Sequence, residues 1–299
     1  MKAIVQPDAG IAPVVAAIRR ARKSIDICIF RMDRKEIESA LTASVTRGVK
    51  VRALIANTNK GGEVNLRKLE QRLLGGGVMV TRTSDELIRY HGKYMIADDT
   101  LYVFGFNLTK LDIGTSRSFA VATRDAHTVK EASKLFEADA TRQLYTPARS
   151  NLVVSPETAR DMLSKFIAGA RKELAIYDVK IQDPGMIKVL KERARRGVRI
   201  RIIGSLKETI EGVRVEKPSA RLHVRAIIRD GTRAFVGSQS LRRVELEDRR
   251  ELGVLISNPT VTRQLMEIFE ADWPGPRAVG KEAKEAEDRL RAADTPGAR

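Results

Sequence analysis

The sequence predicts an α/β fold of two similar halves, with mixed or parallel sheets and a cleft between the halves. Three observations predict it. Stretches with helical periodicity alternate with short apolar runs of strand length. Two segments recur at one constant spacing: residues 21–27 return at 170–176, and residues 47–55 return at 196–204. A third pattern, reading His, any residue, a cation, four residues and Asp, occurs at 91–98 and again at 223–230. A shared helix–strand–helix–strand plan at constant offset marks duplication of a half-domain. The period is far longer than the roughly 20–50 residues of a solenoid repeat.

Each element has its own local reason. Residues 11–23 place Val14, Val15, Ile18 and Ala21 on one helical face, with Pro13 in a first-turn position. Ser24–Phe30 is an apolar run suited to a buried strand. Residues 34–46 read as a helix that stops at Gly48, and Val49–Ile55 as the next strand. A polar loop over 57–62 leads to a helix at 64–74, ended by Gly75, Gly76 and Gly77. Val78–Thr81 is a short strand, and 82–90 carry the chain to His91. The same order returns in the second half, with a shorter approach over Ser205–Leu222. Tyr145–Ser155, with Pro147 inside it and Pro156 after it, is the expected connection between halves at 1–147 and 148–276. After Trp273 the composition turns charged and alanine-rich, so 277–299 is expected to be a surface helix or a disordered tail.

Composition narrows the partners without choosing among them. Lys and Arg number 55 against 38 Asp and Glu, a formal net charge of +17. That favours polyanions: nucleic acid, an anionic membrane surface or phosphorylated small molecules. Cys28, the single cysteine, excludes an internal disulfide and a cysteine-based zinc site; in an apolar run it reads as a buried structural thiol. No stretch has signal-peptide character or transmembrane length without charges, so a cytoplasmic protein is expected, with at most peripheral contact to an anionic membrane. Aromatic residues make up 5% of the chain, too few for a surface that reads bases by stacking.

His91 and His223, two of the three histidines, open the two recurring stretches. Phosphodiester cleavage needs a nucleophile, an acid for the leaving oxygen and positive charge on the non-bridging oxygens. Two imidazoles supply the first two. Lys93 and Arg225, two residues on, fall on the same strand face as their histidines and supply the charge without a metal. Asp98 and Asp230 fall on the opposite face and read as structural support. His127, in the expected helix 126–137, has no cation or Asp at matching spacing and reads as structural.

The paired pattern resembles the phospholipase D superfamily, whose signature is His-x-Lys, four residues, Asp, six residues, then Gly-Ser-x-Asn. Residues 91–98 match its first part, and Gly105 follows Asp98 at the right distance. Residues 223–230 match except that Arg225 replaces Lys. Gly237 and Ser238 match the turn, and Ser240 stands at the Asn position. In the first half Asn107 comes one residue early and Phe106 takes the Ser place. The resemblance covers roughly residues 1–275. It implies two α-β-α halves arranged as a pseudo-dimer, with an active site in the cleft complete within one chain. It also implies His91 as nucleophile, His223 as general acid and then base, and no cofactor or metal. Lys93, Arg225, Asn107, Ser238 and Ser240 would bind the phosphate oxygens. Glu251 stands where the family carries an acid that orients a histidine; its counterpart in the first half is Ser118, so at most one half is expected to have that support. The implied substrate is a phosphodiester, with a phospholipid head group ahead of nucleic acid. A phosphate-binding module that has lost turnover through Arg225 and Ser240 is the non-enzymatic alternative.

Overall fold

The structure, a computed structural model of the chain, describes residues 1–58 and 63–273. The expected tail at 277–299 and much of the 57–62 loop lie outside the described residues. The first half runs β1 (Lys2–Gln6), α1 (Ala12–Arg20), β2 (Ser24–Ile29), α2 (Lys35–Thr46), β3 (Lys50–Ile55), α3 (Glu63–Gly75), β4 (Met79–Arg82), β5 (Arg89–Tyr90), β6 (Tyr94–Ala97), β7 (Thr100–Phe104), α4 (Lys110–Thr115), β8 (Ser118–Thr123) and α5 (Ala126–Thr141). The second runs β9 (Leu152–Ser155), α6 (Ala159–Ala168), β10 (Glu173–Ile181), α7 (Pro184–Arg195), β11 (Arg199–Leu206), β12 (Val213–Glu216), β13 (Arg225–Arg229), β14 (Arg233–Gly237), α8 (Arg243–Glu247), β15 (Arg249–Ile256) and α9 (Pro259–Asp272).

Two mixed sheets result. The first has the order β1-β8-β7-β6-β2-β3-β4, and the second β12-β11-β10-β13-β14-β15-β5, with β9 also paired to β15. In each sheet the crossover strands pair in parallel and the hairpin strands antiparallel. Several strands escaped the sequence reading, β1 and β9 among them. β1 lies in what reads as a plain N-terminal segment, and β9 lies inside the expected connection 145–155. They are equivalent edge strands, β1 on β8 and β9 on β15, too short to show an alternation of their own.

Packing explains why the halves stay together. Val14, Ile18, Leu41 and Leu69 of the outer helices pack with Ile25 and Ile27 in one cluster, and Leu163, Ile187 and Leu190 pack with Ile176 and Ile202 in another. The third cluster lies between the sheets. It joins Val103 and Phe119 of the first half, Val236 and Leu252 of the second, Phe136 of α5 and Phe269 of α9. Burying six such side chains contributes on the order of 10 kcal/mol, enough to hold the halves as one unit. The Gly105 turn shows how closely they meet: a Cβ there would lie 2.8 Å from the Phe119 carbonyl and 3.3 Å from the Gly237 carbonyl across the seam.

Strand pairing across the seam positions the histidines. β5 adds to the edge of β15 in parallel, and Arg117 bridges to Leu222 in the mirrored place. The His91 N–H therefore donates to the Arg250 carbonyl at 2.7 Å, and the His223 N–H to the Arg117 carbonyl at 3.1 Å. Two guanidiniums, Arg250 buried and Arg117 partly buried, lock these strand ends. Arg250 reaches Asp139 at 3.1 Å and Glu157 at 2.5 Å; Arg117 reaches Asp272 at 2.8 Å and Asp8 at 3.3 Å. Each histidine thus hangs from a strand of the opposite half.

Candidate active site

Crossing the seam decides which side chain faces each imidazole. Because His91 is tied to Arg250, the next residue, Glu251, lies against its ring. Nδ1 of His91 stands 2.8 and 2.9 Å from the two Glu251 oxygens. A carboxylate only accepts, so Nδ1 donates, and in the neutral ring the lone pair sits on Nε2. Phe30 packs edge-on against the same ring, with centroids 4.5 Å apart. Burial holds the His91 imidazole down at about 4, against the opposing pull of Glu251. Burial would raise Glu251, which is fully enclosed, but His91 and Lys93 beside it hold it below the usual carboxylate value.

The mirrored position, Ser118, donates its hydroxyl to the His223 carbonyl at 3.0 Å and so fixes backbone rather than imidazole. The carboxylate for His223 comes from elsewhere. Asp112 Oδ1, on α4, lies 3.2 Å from His223 Nδ1. This corrects the expectation that only one half carries acidic support: both imidazoles have it, from different positions. Asp112 is held in turn by Asn107, through Nδ2 at 2.7 Å and the backbone N–H at 3.0 Å, and by Arg221 at 2.6 Å. Burial works against its ionisation, while His223, Arg221 and Asn107 outweigh that and depress it. Burial likewise lowers His223, with Asp112 opposing. His223 Nε2 is buried with no hydrogen-bond partner among the described residues.

The cations two residues after each histidine act on both imidazoles. Lys93, 2% exposed, donates to the His91 carbonyl at 2.5 Å. Burial pushes its ammonium down to about 7; Glu251 opposes that shift and Arg225 adds to it. Arg225 donates through Nε to Ser240 Oγ at 3.1 Å. Lys93 and Arg225 each depress both imidazoles, which places all four groups in one electrostatic site. Behind Arg225 is a residue the sequence reading missed. Asp178, buried in β10, accepts from the Leu241 N–H at 2.7 Å and the Lys180 N–H at 2.9 Å. Burial raises its carboxyl against these donors and Arg225.

Other expected site residues fall as follows. Asn107 has one amide hydrogen committed to Asp112. Ser238, expected at the phosphate, instead exchanges hydrogen bonds with Leu252 at 3.3 and 3.2 Å and helps hold Glu251 ionised. Asp98 occupies the β6–β7 turn and accepts from the N–H groups of Arg22, Lys23 and Ser24 at 2.8–3.0 Å. Asp230 does the same for Arg171, Lys172 and Glu173 at 2.7–3.1 Å. Both pin a central strand and touch no imidazole. Cys28 is buried and its thiol donates to the Gly92 carbonyl at 3.4 Å. His127 is exposed in the first turn of α5. Among the described residues no group of three or more His, Cys, Asp and Glu side chains is arranged to hold a metal ion.

Two faint signals marked the missed acids. At the spacing that carries Asn107 onto Ser240, Asp112 falls on Glu245, an acid in each short helix. Asp178 is a lone carboxylate in an apolar strand, where an unpaired charge is costly.

A family model described as "Cardiolipin synthase, PLD-like domain" matches residues 14–140 and 204–273, more than half of the chain. The chain belongs to the phospholipase D superfamily. Solved structures agree on the fold. A polyphosphate kinase from Porphyromonas gingivalis superimposes with a TM-score of 0.75 at 19% identity, over 98% of this chain and 55% of that one. This phospholipase D-like chain therefore spans little more than half the kinase. A phosphatidylserine synthase from Haemophilus influenzae Rd KW20 superimposes with a TM-score of 0.68 at 12% identity, over 98% of this chain and 93% of that one. No curated protein matches the sequence.

Proposed function

We propose that this protein cleaves or transfers a phospholipid head group through a phosphohistidine formed on His91. The observation that carries the reading is the pair of imidazoles, each faced at Nδ1 by a carboxylate from across the seam. Nε2 of His91 attacks phosphorus and a P–N bond forms. The P–O bond to the head group breaks, and protonated His223 gives its proton to the departing oxygen. His223 then takes a proton from water or an acceptor alcohol, whose oxygen attacks phosphorus and releases His91. Lys93 and Arg225 neutralise the non-bridging oxygens throughout. The phosphodiester anion also raises the lowered pKa values of His223 and Lys93, so binding itself favours the proton positions the first step needs.

The family model's description favours a lipid substrate. Among the described residues no helix is long and apolar enough to cross a membrane, so the site would meet lipid from the membrane surface. The net charge of +17 favours a second reading, a nucleic-acid phosphodiester. Both are tested by assaying phosphatidylglycerol and phosphatidylcholine vesicles beside single- and double-stranded DNA, in excess chelator, with wild type, His91→Ala, His223→Ala and His127→Ala. Head-group release by wild type and His127→Ala alone is expected. DNA cleavage with intact vesicles would replace the lipid reading. Full activity in either of the other variants, or loss of activity in chelator, would overturn the mechanism.

A further inference from the structure

The two sides of the site are not equivalent in charge. On the side of His223, Arg221 is neutralised by Asp112 at 2.6 Å and also donates to Ser116. The corresponding residues on the side of His91 are Arg89, Glu245 and Arg249. Here Ser116 has become Arg249 and Thr109 has become Arg242, so three arginines gather where the other side has one.

These arginines are incompletely matched. Arg242 and Arg249 share one oxygen of Glu245, with Arg249 at 3.1 Å. The other Glu245 oxygen is buried without a hydrogen-bond partner among the described residues, as are the Nε atoms of Arg242 and Arg249. Arg249 also lies 4.0 Å from Glu251, the carboxylate occupied by His91. Arg89 has no ion pair among the described residues. It is the register partner of Arg249 where β5 joins β15, a like-charge pair side by side. Such pairs cost stability in a sheet, and Glu251, the carboxylate that acts on both, is already committed to His91. Arg89 stands 5.7 Å from the Phe30 ring centroid, and Lys93 stands 5.3 Å from the same centroid. The surplus charge also acts on a catalytic cation, with Arg225 repelled by Arg249 and Arg242 repelled by Arg225. One phosphodiester carries a single negative charge, which Lys93 and Arg225 together already offset.

We propose that Arg89, Arg242 and Arg249 form an anion subsite that takes a second phosphate of the same substrate molecule, beside the phosphate that is cleaved. This deepens the phosphodiesterase reading and rests on it for the word substrate, but the subsite is testable by binding alone. The second phosphate can be joined directly to the first, as in a diphosphate, or stand one unit along a phosphodiester chain.

The test is calorimetric titration of the full chain at fixed ionic strength. One arm compares inorganic pyrophosphate with orthophosphate; the other compares 5′-phosphorylated dithymidine with unphosphorylated dithymidine monophosphate. Wild type is expected to prefer the two-phosphate member of at least one pair tenfold or more. Arg89→Gln, which breaks no ion pair, and Arg242→Gln should each cut that preference at least fivefold. Arg243→Gln removes an equal charge one residue away from an exposed position and should leave the preference intact. Preference in the first arm assigns a diphosphate, and preference in the second a phosphodiester chain. Absence of preference in both arms overturns the subsite, as does a preference that survives both Arg89→Gln and Arg242→Gln. A preference of the expected kind in a chain that turns over no phosphodiester would instead sink the catalytic reading and leave the subsite standing.

Discussion

Asp112→Asn isolates the half of the mechanism that belongs to His223. The change keeps side-chain size and removes the negative charge 3.2 Å from Nδ1. A unit charge pair at that distance and an effective dielectric of 20 is worth about 5 kcal/mol. Arg221, 2.6 Å from the same oxygen, offsets part of that field, so we expect a net loss of roughly 3–4 kcal/mol for the imidazolium. That equals about 10²–10³ in kcat, within the usual contribution of a general acid. The loss should depend on the leaving group. An alkyl leaving oxygen needs the proton from His223, whereas p-nitrophenolate departs without it. With a p-nitrophenyl phosphodiester, rapid-mixing measurements on Asp112→Asn should therefore show a nearly normal burst of one p-nitrophenolate per chain. A slow steady state should follow, because water still needs His223 as base. With an alkyl ester the first step itself should slow. Equal losses of the burst and of alkyl cleavage would refute the assignment of Asp112 to the acid. So would full activity on the alkyl ester.

Two further outcomes follow from the same geometry. Lys93 must carry its proton to hold the phosphate, and its pKa in the free protein lies near 7, lowered from the ordinary ammonium value. The profile of kcat/KM should therefore fall with one-proton slope as pH rises through about 7, while kcat falls only at higher pH because the bound anion raises Lys93; a kcat/KM that climbs from pH 7 to 9 would contradict this. Arg225→Lys should lower kcat about tenfold, since the shorter ammonium cannot keep the Nε contact to Ser240. Adding Ser240→Asn should recover part of the loss by restoring a donor of amide length, and a single Arg225→Lys variant faster than wild type would show that the guanidinium crowds the site.

Much of the fold was legible because it rests on local pattern. The helices at 12–20, 35–46 and 63–75 and the strands between them follow from apolar periodicity and glycine stops, and they appear within a residue or two of the sequence reading at most ends. β1 and β9 did not announce themselves. Short edge strands are defined by their partners, β8 and β15, which lie far away in the chain.

The candidate site divides along the same line. The sequence alone determined that the chain is a duplicated α/β unit, that His91 and His223 open equivalent stretches, and that Lys93 and Arg225 accompany them, because repeat spacing and strand alternation are properties of neighbouring residues. Only the tertiary structure decided which carboxylate faces which imidazole. Each histidine is tied to the opposite half by its own N–H, so the orienting group is set by a pairing between residues more than a hundred positions apart. That pairing gives Glu251 to His91, leaves Ser118 facing backbone, and lets Asp112 serve His223 from α4. It also sets Arg89 beside Arg249. A histidine motif fixes which groups are present; the charge around them depends on which strand ends meet across the seam.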